Sequence, residues 1–163
     1  MLIYGGASLL LLLLLMGPIR SRTLRRLDRV APGSVAFTVA NRRSFSDSLS
    51  LAAVGTDLGY RASSMTSAPC VTADAEGLTF WDCTPLLYVG SIHWRSISSV
   101  GVRDINVPWR RIAPSAIVVE VRVGEAEIPV PLFSPNGTRR MFASRAESRW
   151  LAGALESLRS AAA

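Results

Sequence analysis

Residues 117–132 read IVVEVRVGEAEIPVPL. Ile117, Val119, Val121 and Val123 fall on one side of a period-two strand, and Glu120 and Arg122 fall on the other. Gly124-Glu125 is a two-residue turn, after which Ile128, Val130 and Leu132 resume the apolar side. The stretch therefore predicts an antiparallel hairpin with one face on a core. Pro129 and Pro131 lie two apart, so both missing N–H groups belong to one side of the second strand. That side must be an edge of the sheet or a gap in it.

The same alternation extends in both directions. Upstream, 35–39, 70–73, 78–81, 86–94 and 97–103 read as strands, and 115–123 is the clearest of all. Asp74-Ala75-Glu76-Gly77 predicts a tight turn with glycine supplying a positive φ. The segment 44–54 predicts a short helix with Phe45, Leu49 and Ala52 or Ala53 on one face, stopped by Gly55. Residues 56–68 are rich in Ser, Thr and Gly and read as loop. Downstream, Ser144-Arg145-Ala146-Glu147 is a capping box opening a helix to about Ser160. Its predicted apolar stripe is Trp150, Leu151, Ala154, Leu155 and Leu158. The total is seven strands, an inserted helix and a terminal helix, with no internal repeat.

The N-terminal end has a different character. Residues 2–19 carry no charge and include seven consecutive leucines at 9–15, followed by Met16. As a helix they would span about 27 Å, close to a bilayer's hydrocarbon thickness. No basic side chain precedes the leucines, and Gly17-Pro18-Ile19-Arg20 is a poor cleavage site. The segment reads as a retained transmembrane anchor at 1–19, followed by a basic juxtamembrane linker at 20–33 and a single domain at 34–163. Tyr4 and Met16 belong to the apolar span.

The chain has 163 residues and a net charge of +6, and all 18 of its basic residues are arginine. Arg20, Arg22, Arg25, Arg26 and Arg29 against Asp28 place +4 of that charge beside the anchor, leaving +2 for everything else. A nucleic-acid partner is not expected, because the folded part lacks a basic stripe. The five arginines predict an N-terminus outside and a cytoplasmic C-terminal domain. They also predict contact with anionic lipid head groups, each worth about 1 kcal/mol. In that reducing compartment Cys70 and Cys83 are expected as free thiols. Asn136-Gly137-Thr138 spells a glycosylation sequon that reads there as a plain turn.

The pattern resembles the pleckstrin-homology-like (PH-like) domains of small bacterial membrane proteins. It does so through the hairpin GLTFWD at 77–82, the strand pair IHWRSISSVGV at 92–102, the late hairpin at 117–132 and the capped helix with Trp150. The resemblance covers 34–160. It implies a bent seven-strand barrel closed at one end by the terminal helix, and it implies that Trp150 is a core residue. The 44–68 insertion departs from that pattern, and so does the absence of lysine from the first loop, where only Asn41-Arg42-Arg43 stands.

Catalytic chemistry is not expected, nor any metal or cofactor. His93 is the only histidine and sits mid-strand, and the acidic residues are scattered without a pairing interval. Three arginine pairs in loops remain: Arg42-Arg43, Arg110-Arg111 beside Trp109, and Arg139-Arg140. They are the candidate surface for a protein partner or anionic lipid. The sequence thus predicts a non-enzymatic single-pass membrane protein presenting a binding domain, as an accessory subunit of a membrane complex. Two alternatives stand beside it. One is an enzyme or a small-molecule binder using the barrel interior, with a polar pocket near His93 and Arg95. The other is an exported envelope domain behind a cleaved signal sequence, which a disulfide between the two cysteines would mark.

Overall fold

A computed structural model describes residues 24–39, 43–52, 69–83, 86–105, 115–133 and 144–162. The predicted anchor at 2–19 lies outside the described residues. Among those described, no helix is long and apolar enough to cross a membrane.

Residues 24–30 are helical (α1), so part of the expected linker belongs to the fold. Leu27 is fully buried while Arg25, Arg26 and Arg29 are exposed. The Ala31 N–H continues the helical bonding to Leu27 O at 2.8 Å, and the Ser34 hydroxyl then donates to Ala31 O at 2.7 Å.

Four strands follow: β1 (Val35–Thr38), β2 (Cys70–Ala73), β3 (Gly77–Cys83) and β4 (Leu86–His93). They form an antiparallel sheet in chain order. A second antiparallel sheet holds β5 (Ile97–Asp104), β6 (Ser115–Val123) and β7 (Ala126–Leu132). The expected seven-strand barrel is therefore two separate sheets, and no ladder joins them among the described residues. Trp94, read as the end of a strand, instead opens a single 3-10 turn at Trp94–Ser96. It leads the chain from the first sheet into the second.

The inner faces of both sheets enclose one core. Phe37, Val71, Leu78 and Phe80 come from the first sheet, and Ile117, Val119, Val121, Val130 and Leu132 from the second. Helix α2 (Arg43–Ala52) lies against β7 and adds Phe45, Leu49 and Ala52, the face its spacing predicts. Phe45 meets Phe80 with ring centroids 6.3 Å apart.

Helix α3 (Arg145–Ala162) packs on β5 and β6. Its capping box is formed: Ser144 N–H and Oγ both bond Glu147 Oε2, at 2.8 and 2.7 Å, and Glu147 N–H returns to Ser144 Oγ at 3.3 Å. The buried stripe is Ser148, Leu151, Ala152 and Leu155. Trp150, expected in the core, is 73% exposed. One residue is 100° of helical rotation, so seating Leu151 and Leu155 on the sheet turns position 150 outward.

Two turns are set by glycine, in different ways. Gly124 has φ +61°, and Glu125 has no positive φ, the arrangement of a type II′ hairpin. Gly77 does not have the positive φ the sequence suggested. It is required for space instead, since a Cβ there would lie 2.2 Å from Ile92 O on the neighbouring strand. The Asp74 carboxylate shapes that turn by accepting from the N–H groups of Glu76 and Gly77 at 2.8 and 3.2 Å. The edge read from the prolines is present: β7 pairs only with β6 among the described strands.

Candidate functional surface

The arginines singled out in the sequence are not gathered by the described structure. Arg20 and Arg22 lie outside the described residues, and so do Arg42, Trp109, Arg110, Arg111, Arg139 and Arg140. Arg43 opens α2. Arg25, Arg26 and Arg29 are exposed on α1.

What the structure does assemble is an aromatic cluster on the outer face of the four-stranded sheet. Alternation along β3 turns Leu78 and Phe80 inward and Thr79 and Trp81 outward. The ladder sets Trp81 opposite Tyr88 of β4. A bulge beside Phe80 and Trp81 gives β4 an extra residue there, Val89, which turns into the core. The two rings meet edge to face, 5.8 Å apart at 78°. The indole N–H of Trp81 donates to Thr72 Oγ1 at 3.0 Å, which fixes the ring across β2 and β3. Tyr88 remains 50% exposed, with its hydroxyl 3.4 Å from Ser91 Oγ, and neighbouring Leu87 is 56% exposed. An apolar rim with a polar hydroxyl at its edge suits contact with another surface rather than proton transfer.

On this same face, beside Trp81, the structure departs from the expected free thiols. Cys70 is fully buried and disulfide-bonded, and Cys83 is the only other cysteine in the chain. Thr38, opposite Cys70 in the β1–β2 ladder, buries its hydroxyl with no hydrogen-bond partner among the described residues.

Glu120 and Asp104 of the second sheet have structural partners. Glu120, assigned by its spacing to the outer face, is only 8% exposed and bonds Arg103 at 2.7 Å. Asp104 accepts from the Ser115 hydroxyl at 2.7 Å and lies 3.4 Å from Arg145, which links β5 to the start of α3. Farther along α3 the Arg159 guanidinium bonds Glu156 at 2.6 Å and holds its carboxyl below the ordinary 4.5. Partial burial opposes that shift, and the Val100 backbone adds to it. The same contact raises Arg159.

His93 is exposed at the end of β4, opposite Gly77. Among the described residues no three of His, Cys, Asp and Glu come together as a metal site. The sequence reading missed the Trp81–Tyr88 pair, although two aromatics on the outward positions of facing strands were its available signal. No family model matches the chain, and no curated protein matches it.

Proposed function

We propose that this chain is a non-enzymatic, single-pass membrane protein whose PH-like domain is a binding module for a partner at the membrane. The observation that supports this reading is the order of elements. A four-strand meander, a three-strand meander and a C-terminal helix packed on β5 and β6 follow one another. That order is what the PH-like resemblance implies, even with the sheets unjoined and Trp150 outside. Tyr88, half exposed and set edge to face against the partly buried Trp81 ring, supplies an apolar contact zone of the kind enriched at protein interfaces. Residues 2–19 serve as the tether, and the arginines from 20 to 29 border it and meet anionic head groups. The module works as an accessory subunit of a membrane complex.

The test uses the full chain in its own membrane, with a photo-crosslinking amino acid placed at Tyr88 and, separately, at Glu125 in the β6–β7 turn. A discrete adduct from position 88 and none from 125 is the expected outcome. Equal or absent adducts at both positions would dismiss this face as the binding surface.

A further inference from the structure

We propose that Cys70 and Cys83 form a permanent structural disulfide made on the oxidising side of the membrane, so that the β domain faces away from the cytoplasm. This reverses the side that the arginines alone assign. It rests on the tether of the functional reading and not on what the domain binds.

Three observations carry it. First, Cys70 is disulfide-bonded and the chain offers one possible intramolecular partner. The two cysteines lie on directly paired strands: Cys70 sits opposite Trp81, and position 83 is two residues further along β3. Second, Cys70 has no exposed surface. The disulfides found in reducing compartments are mostly catalytic or redox-sensing, and both roles require access for an attacking thiolate. A bond whose Cys70 side is fully buried is shielded from attack there and fits neither role.

Third, the arginine signal is weaker as a topology marker than it looks in the sequence. Residues 24–30 form a helix that buries Leu27 and exposes Arg25, Arg26 and Arg29. Three of the five arginines are thus the solvated side of a helix anchored in the fold. Their placement has a structural cause, whereas the positive-inside rule is a statistical bias. The disulfide, in contrast, needs an oxidant.

The chemistry is thiol–disulfide exchange with an oxidised dithiol carrier protein. One thiolate attacks the carrier's disulfide and forms a mixed disulfide. The second thiolate then displaces the carrier. Two protons and two electrons leave the chain, and the carrier departs as a dithiol.

The experiment uses the full chain in sealed cells. Thiols are trapped by acid quenching, then treated with a maleimide reagent with and without prior reduction, and intact mass is read. In parallel, protease is added outside. The expected result is no maleimide without reduction, two after it, and digestion of the domain by external protease. Two maleimides without reduction would overturn the proposal. A disulfide in a domain that external protease cannot reach would overturn the assigned side. Alkaline extraction of the same membranes reports the tether separately: release of full-length chain would sink the single-pass reading and leave the thiol result standing.

Discussion

The indole nitrogen of Trp94 donates a 2.8 Å hydrogen bond to the backbone carbonyl of Asp74. Twenty residues separate the two in sequence. The Trp94 N–H also bonds Glu76 O at 3.1 Å, so the crossing between sheets is fastened to the β2–β3 turn twice. Trp94→Phe keeps an aromatic ring but leaves the Asp74 carbonyl without this donor. The expected cost is about 1–3 kcal/mol, read as a lower urea midpoint with an unchanged slope.

Gly77→Ala is expected to be worse than its single methyl group suggests. The new Cβ would meet Ile92 O at 2.2 Å and His93 Cα at 2.9 Å, both backbone atoms. The β3–β4 ladder has to move, and overpacking of this kind costs about 1–3 kcal/mol or more. Amide hydrogen exchange should quicken along β3 and β4. Unchanged protection would mean that the turn absorbs the methyl group locally.

Trp150→Ala and Leu155→Ala separate the two readings of α3. Trp150 is exposed and Leu155 fully buried. The first substitution is expected to change stability by less than about 0.5 kcal/mol, and the second to cost about 2–5 kcal/mol. A Trp150→Ala loss as large as that at Leu155 would restore the tryptophan to the core.

Reduction should weaken the fold. Closing a loop of roughly 15 residues stabilises by about 3 kcal/mol in the chain-entropy account. Urea unfolding with and without a reductant measures the difference, once unfolding has opened the buried bond to exchange. No shift between the two curves would show that the Cys70 disulfide contributes nothing to stability.

Acid should weaken the Glu156–Arg159 pair of α3. The Glu156 carboxyl is held below 4.5 in the fold, by Arg159 first and by the Val100 backbone in addition. Its depressed value means that the stabilisation is present above pH 4.5 and is lost as pH falls through the lower folded value. Glu156→Gln is expected to flatten stability against pH below about 4.5 and to leave other regions of the curve parallel. A parallel acid limb in the variant would show that other carboxylates set it.

Much of this architecture was legible in the residues. Period-two alternation located the strands, the proline pair located an edge, and Ser144 with Glu147 located a helix start. These are local signals, set by dihedrals and by side chains a few residues apart. The joining of strands into sheets was less legible, because Trp94 reads as the end of a strand while the turn it opens is fixed by bonds to Asp74 and Glu76. On α3 the stripe held at Leu151 and Leu155 and failed at Trp150, for a related reason. Trp150 and Leu151 are both apolar neighbours, and the sheet beneath decides which one it receives. The aromatic pair depended on register across β3 and β4, which no single segment carries.

Pro129 and Pro131 have a consequence beyond this molecule's own fold. Two unjoined sheets expose strand margins that a closed barrel would not, and such margins invite pairing between copies. On β7 the prolines remove two donors from the outer margin, so a second chain docking there would find its carbonyls unanswered. The pair therefore acts as a guard against fibre-like stacking of copies along this margin.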